Sequence, residues 1–235
     1  MADMLPSFPT DFRALIFGTR GGLGAAFVAA LQNRCEVTGL TRADIDICDE
    51  AALAALAERE KARGPLHLII NATGLLHDVA AGIQPEKALK QINAEAMARV
   101  LAVNTIGPAL VAKYFLPLLA RQEKTVMAHL SARVGSISDN RMGGWTSYRA
   151  AKAAQNMVVK NAAIETARRE KQKIIIGLHP GTVDSDLSAP FQGNVAGGKL
   201  FTPSQSADYL LRVIDALAPS DSGKIFAWDG QEVPA

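Results

Sequence analysis

The sequence predicts an α/β fold, a doubly wound parallel sheet of seven strands with helices on both faces, on three observations. Short apolar runs alternate along the chain with longer Ala- and Leu-rich stretches, the order expected when each strand feeds a crossover helix. The first of these runs stops at a glycine cluster, Gly18-Thr19-Arg20-Gly21-Gly22-Leu23-Gly24, and a helical stretch follows at once. Runs such as Leu66-His67-Leu68-Ile69-Ile70 are nearly continuous in apolar residues, as strands covered on both faces must be. At 235 residues and 49% hydrophobic content the chain can bury one substantial core, and no break in composition divides it, so residues 1–235 are read as one domain.

Strands are expected near 13–18, 35–40, 44–47, 66–71, 125–131, 173–179 and 224–228, with helices in the intervals. Helix starts carry capping residues: Asp49 stands before Glu50-Ala51-Ala52-Leu53, and Thr202-Pro203 before Ser204 to Leu217. Between the last two strands, about 184–201, a stretch rich in Gly, Ser, Asn and Pro carries Leu187, Phe191 and Val195. It reads as a loop folding over a substrate, or one whose apolar side chains only pack it down.

Ala14-Leu15-Ile16-Phe17, the glycine cluster and the helix from Ala25 to Leu31 form a strand, turn and helix. Glycines at 18, 22 and 24 let the backbone approach a pyrophosphate, whose charge the free amides at the helix start would meet. This is a dinucleotide-binding, Rossmann-type signature, although Gly-x-x-x-Gly-x-Gly differs from the commoner Gly-x-Gly-x-x-Gly. The second strand ends at Thr41-Arg42, where an adenosine ribose would lie, and no carboxylate stands there. Arg42, helped by Arg20, would pair with a 2′-phosphate, which favours NADP(H) over NAD(H).

Tyr148 and Lys152 lie four residues apart in Gly144-Trp145-Thr146-Ser147-Tyr148-Arg149-Ala150-Ala151-Lys152, so a helix places phenol and ammonium on one face. A phenol titrates near pH ~10 in water, and a neighbouring cation favours its anion, so the pair reads as a proton donor with its activator. The same spacing would also suit a solvated helix face.

Taken together, these residues resemble the short-chain dehydrogenase/reductase family along nearly the whole chain. The loop at 18–24 is similar to the family's cofactor motif, with Phe17 in place of the usual threonine, and the resemblance puts Gly18, Thr19, Arg20, Gly22, Leu23 and Gly24 against the cofactor. Asp46-Ile47-Cys48-Asp49 resembles the family segment whose first two residues flank adenine. Asn71-Ala72-Thr73-Gly74 looks like the Asn-Asn-Ala-Gly motif, and Asn104 like the helix asparagine that kinks its helix and holds a relay water. In Pro180-Gly181-Thr182-Val183, Val183 and the nearby Ser185 match positions that meet the nicotinamide carboxamide. The resemblance also implies roles for Tyr148 as proton donor and Lys152 as ligand of the nicotinamide ribose. One element departs: the family serine is replaced by Ala132 in Ser131-Ala132-Arg133-Val134-Gly135-Ser136, leaving Ser131 and Ser136 as candidates. Gly135-Ser136-Ile137, Gly143-Gly144-Trp145 and Tyr148-Arg149-Ala150 look most like the C-factor and sniffer-type carbonyl reductases. What this implies is NADP(H)-linked hydride transfer to an apolar aldehyde, ketone or quinone, and a homodimer or homotetramer formed through helices near 96–120 and 148–169. A non-catalytic NADP-binding regulatory or signalling protein of the same fold is the alternative that Ala132 permits.

The net charge of +2 comes from 25 basic and 23 acidic residues, with no basic cluster interleaved with aromatics, so nucleic acid and anionic membranes are not expected partners. No run approaches the ~18 apolar residues of a membrane span. Cys35 and Cys48 lack disulfide or metal spacing, and the four histidines are scattered, so a cytoplasmic protein with reduced thiols and no metal site is expected. His77, just past the Asn71–Gly74 segment, is a minor candidate for touching substrate.

Overall fold

The computed structural model describes residues 5–194 and 198–234. Among them, six strands form one parallel sheet: β1 (Arg13–Phe17), β2 (Glu36–Leu40), β3 (Leu68–Asn71), β4 (Thr125–Leu130), β5 (Lys173–His179) and β8 (Ile225–Ala227), in the order β2-β1-β3-β4-β5-β8. Two short parallel strands, β6 (Thr182–Val183) and β7 (Leu200–Phe201), pair separately and draw together the two ends of the 184–201 segment.

Alternation along the strands decides which face each side chain serves. Ala14, Ile16, Leu68, Ile70, Val126, Ala128, Ile174 and Ile176 bury against α1 (Gly22–Leu31) and α6 (Pro203–Ala216). Their neighbours Leu15, Phe17, Ile69, Met127 and Ile175 bury against α2 (Glu50–Ala62), α4 (Gly107–Phe115) and α5 (Thr146–Ala167). Each fully buried Leu, Ile or Phe contributes roughly 1.5–3 kcal/mol, so both faces hold the sheet between its helices. Edge strand β2 is the exception, with Glu36 and Gly39 exposed. The expected caps form: the Asp49 side chain accepts from Ala52 N, and Thr202 from Gln205 N within a capping box.

The strand expected at 44–47 does not form, which reduces the expected seven strands to six. The Asp44 carboxylate instead accepts hydrogen bonds from the Thr41 amide (2.8 Å) and hydroxyl (2.7 Å), and Asp46 accepts from Cys48 N (2.9 Å), so two side chains close turns over this stretch. Ile45 and Ile47, which mimic strand alternation, are buried anchors of those turns; Ile47 packs so close to α4 that a Cβ at Gly107 would lie 2.4 Å from it.

A second departure lies between β3 and β4. Helix α3 (Ala94–Leu101) runs through a π turn at Ala102–Ile106 into α4, and the whole stretch Ala94–Leu118 is long and apolar enough to span a bilayer by length and composition. The expectation that no such run exists therefore fails. One side of the helix packs against the protein: Val100, Asn104, Val111 and Phe115 are buried, and Phe115 meets Phe17 of β1 edge to face at 5.2 Å, while Ile106 is exposed.

Candidate active site

Strand order reverses between β1 and β3, and the loops leaving their carboxyl ends border a crevice. The approach of these loops is close: Gly18 has φ +86°, and a Cβ there would stand 2.9 Å from the carbonyl carbon of Ala72. At Gly24 a Cβ would fall 2.3 Å from Gly18 O, so a side chain at either position would force the turn open. Helix α1 begins at Gly22 with no side-chain cap on its first turn, which leaves that end open to an anion.

From here a cleft of about 840 Å³ runs past the ends of β3, β4 and β5. Of the residues singled out from sequence, only Thr19, Asn71, Asn104 and Ser136 do not line it. Asn71 is buried behind the cleft and accepts from the Thr73 amide (3.2 Å) and hydroxyl (2.6 Å), bracing the loop after β3. Thr19 packs beneath Gly39 of β2. Asn104 sits fully buried in the π turn; it donates to Leu75 O (2.7 Å) and Val100 O (2.9 Å) and accepts from Leu75 N (3.1 Å). Its side chain is thus a fastener for the post-β3 loop, in a helix widened by one turn of π geometry.

At one end of the cleft stand Arg20, Arg42 and Arg99. None of the three makes a side-chain hydrogen bond or ion pair among the described residues. Arg99 on α3 was not legible as a site residue, because its only sequence signal is a cation in the last turn of a helix that also carries Glu95.

At the other end lie Tyr148 and Lys152. Both are almost fully buried, with Lys152 Nζ 5.7 Å from the phenol ring centroid. Lys152 donates to Leu130 O (2.7 Å) and to Gln155 Oε1 (2.8 Å), so one of its three ammonium protons is left for another acceptor. Burial pulls Lys152 down to about 7, and burial also pushes Tyr148 above the usual phenol range. The expectation that the cation brings phenolate within easy reach is therefore reversed in the protein alone: desolvation favours both neutral forms. His129, buried beside this pair, is drawn down to about 4 by burial and by Lys152.

Over this end fold residues 185–191. The Phe191 ring packs edge-on against Trp145 (4.9 Å) and His77 (5.8 Å), Trp145 packs against Tyr148 (6.3 Å), and His77 Nε2 bonds to Asp186 O (3.1 Å). Leu187 and Phe191 line the cleft, and Phe191 also pins the loop through its ring contacts; Val195 lies outside the described residues. His77, expected only as a minor contact, is part of the wall.

A family model described as short chain dehydrogenase matches residues 11–195. The chain belongs to this family. Among relatives of this short-chain dehydrogenase, it is 35% identical over 171 residues to the C-signal protein of Myxococcus xanthus, covering 73% of this chain and 93% of that one. It is 31% identical over 186 residues to 1-hydroxy-2-glutathionyl-2-methyl-3-butene dehydrogenase of Rhodococcus sp. strain AD45, covering 79% and 76%. Its fold resembles the NADPH-bound carbonyl reductase from chicken fatty liver (TM-score 0.79, 22% identity, 99% and 98% coverage) and the carbonyl reductase Sniffer of D. melanogaster (TM-score 0.80, 20% identity, 96% and 100% coverage).

Against the short-chain dehydrogenase pattern, the serine position is the clear departure. Ala132 lines the cleft and packs in the cluster that holds Tyr148, Trp145 and Phe191. Ser131 borders the cleft, but its hydroxyl donates to Asn156 on α5 (2.7 Å). Ser136 is buried away from the cleft and accepts from Asp139 N (3.1 Å) in a turn.

The low value of Lys152 has a consequence for stability. Its folded-state pKa lies below the unfolded one, so the buried ammonium opposes folding fully below pH 7, and that cost is relieved as pH rises from about 7 toward ~10. Urea unfolding at pH 6, 7.5 and 9 is expected to show the wild type gaining about 1 kcal/mol or more relative to Lys152→Met across that range.

Proposed function

We propose that this short-chain dehydrogenase transfers hydride between NADP(H) and an apolar carbonyl or alcohol, with Tyr148 exchanging the proton. The observation that carries the reading is the division of one cleft into a cationic end and a buried phenol–ammonium end beneath an aromatic wall. The residues fit the cofactor: Gly18 and Gly24 let the loop close where a Cβ would collide with backbone, α1 starts with no side-chain cap, and Arg20, Arg42 and Arg99 are guanidiniums without partners among the described residues, suited to a 2′-phosphate. The names of the Rhodococcus relative and of the chicken fold neighbour support the same chemistry.

NADPH, when bound, supplies the hydride. In carbonyl reduction Tyr148 donates its proton to the substrate oxygen while the carbonyl carbon accepts hydride, so the alcohol and the phenolate form together. Lys152 offers its remaining proton to the cofactor's ribose and its charge to the new phenolate. Gly181, Val183 and Ser185, which line the cleft, would border the nicotinamide, and Asp46 and Ile47, which line it too, would flank the adenine. Trp145, Phe191, Leu187 and Ala132 give the substrate an apolar seat that excludes water. Because burial keeps Tyr148 protonated well above neutrality, reduction keeps its proton donor through the neutral range and its pH dependence there follows the charge on Lys152, which burial pulls down to about 7; alcohol oxidation, which needs the phenolate, rises with pH. Exposed Ile106, Met157 and Ile164 on the π turn and α5 support a homo-oligomer, and two free, half-buried thiols suit a cytoplasmic setting.

Ala132 favours a second reading, an NADP-binding regulatory protein without turnover. Purified protein assayed with NADPH and NADH against quinones, aldehydes and diketones separates the two. Turnover with NADPH that falls by roughly 10²–10⁴ in Tyr148→Phe, while NADPH still binds by fluorescence, supports the enzyme; binding without turnover across the panel supports the regulator. Arg99→Ala is expected to raise KM for NADPH about tenfold and to leave that for NADH within about twofold. Ala132→Ser, which restores a hydroxyl beside the phenol, is expected to raise kcat by up to about tenfold.

A further inference from the structure

We propose that Glu86 is a positioning residue for this reaction: its buried carboxylate, delivered from the segment between β3 and α3, takes the place of a cap on α5 and sets the phenol of Tyr148 in the cleft. The inference rests on Tyr148 being the proton donor.

Helix α5 starts abnormally. Gly143, Gly144 and Trp145 all have positive φ (+64°, +67° and +50°), and Trp145, at the cap position, offers no side-chain acceptor to the first turn. Such a start costs free energy at a non-glycine residue and leaves the first amides without partners. Glu86 supplies what is missing from 61 residues upstream. Its backbone carbonyl accepts from Trp145 N (2.5 Å), and its carboxylate accepts from Ser147 N (3.2 Å) and from the Ser147 hydroxyl.

Three features bind this to Tyr148. The phenol follows Ser147 directly, in the turn that Glu86 holds. Glu86 and Ser147 are 6% and 4% exposed, so the bonds compete little with water. A void of about 10 Å³ is lined by Glu86, Ser147 and Tyr148 together, at the lower limit for a single water, so the phenol has little room to shift backwards. No cation pairs with Glu86 among the described residues; its carboxyl group instead faces the start of α5, the end of a helix that favours hydrogen-bond acceptors. Remove it, and the first turn that aims the phenol loses its outside support.

Kinetics with NADPH and the best carbonyl of the panel test the proposal, using Glu86→Ala and Glu86→Gln in wild-type and Tyr148→Phe backgrounds. In the wild-type background Glu86→Ala is expected to lower kcat by about 10- to 100-fold, with NADPH affinity and carbonyl KM within about twofold. Glu86→Gln, which keeps an acceptor for Ser147, recovers most of that loss. In the Tyr148→Phe background the same changes cost less than about threefold, because no phenol is left to position. Equal losses in both backgrounds, wild-type kcat in Glu86→Ala, or a loss equal to the unfolded fraction seen by circular dichroism would overturn it. Should Glu86→Ala not fold, Glu86→Asp, whose shorter side chain draws the carboxylate back from Ser147, is carried through the same two backgrounds and judged by the same outcomes. Wild-type turnover in Tyr148→Phe would instead remove the proton-donor reading, and this proposal with it; an inactive Tyr148→Phe beside a fully active Glu86→Ala would remove only this proposal.

Discussion

Two backbone loops must touch at the carboxyl ends of β1 and β3, and only a residue without a Cβ lets them. Gly18, in left-handed geometry, lies against the Ala72 carbonyl at a spacing that any side chain would violate. Once that contact is made, the first turn of α1, the Arg42 turn and the Ala72–Gly74 loop all face one crevice. Sheet order supplies the crevice and β1 its centre, because it is the strand from which the chain winds in both directions. Asn71 and Asn104 then hold the second loop from behind, through its backbone amides and carbonyls.

Within the crevice, desolvation outweighs pairwise attraction. Tyr148 and Lys152 are neighbours of opposite ionic preference, yet each is pushed toward its neutral form by burial. Any ligand that brings negative charge and hydrogen-bond acceptors near Lys152 reverses that balance, since the ammonium has a donor to spare. The opposite end obeys a different rule. Its three arginines are half or fully exposed and without side-chain partners among the described residues, so that end attracts anions while burial at the other end disfavours charge on Tyr148 and Lys152. A single cleft with this gradient suits a long molecule, anionic at one end and less polar at the other.

The clearest departure from family pattern lies at the phenol end of the cleft. Ala132 sets a methyl group, not a hydroxyl, in the cluster that holds Tyr148, beside an aromatic wall of Trp145, Phe191 and His77. Local rules are also broken at the start of α5, where three left-handed residues precede the helix and a remote carboxylate caps it. Strain and borrowed support at one turn are what fold-level consistency predicts for a site that has to hold a side chain against its preference.

Much of this was legible residue by residue. The glycine spacing, the four-residue interval from Tyr148 to Lys152, and the unbroken apolar runs depend on local backbone geometry and on burial of both strand faces, and these are properties a sequence carries directly. Ile45 and Ile47 misled, because a period of two is shared by a strand and by two turns whose apolar residues happen to point inward; only the side-chain bonds of Asp44 and Asp46 distinguish them. Arg99, Glu86 and the fate of the Ser131 and Ser136 hydroxyls were out of reach for a different reason. Each depends on a partner 25 or more residues away, on a turn that buries one of them, or on the absence of a partner altogether. The sequence by itself thus determined the class of fold and the chemical groups available to the cleft, since those follow from pattern and short-range spacing. Which groups face it, and in what state of ionisation, was decided by tertiary packing, because burial and long-range hydrogen bonds exist only once distant segments have met.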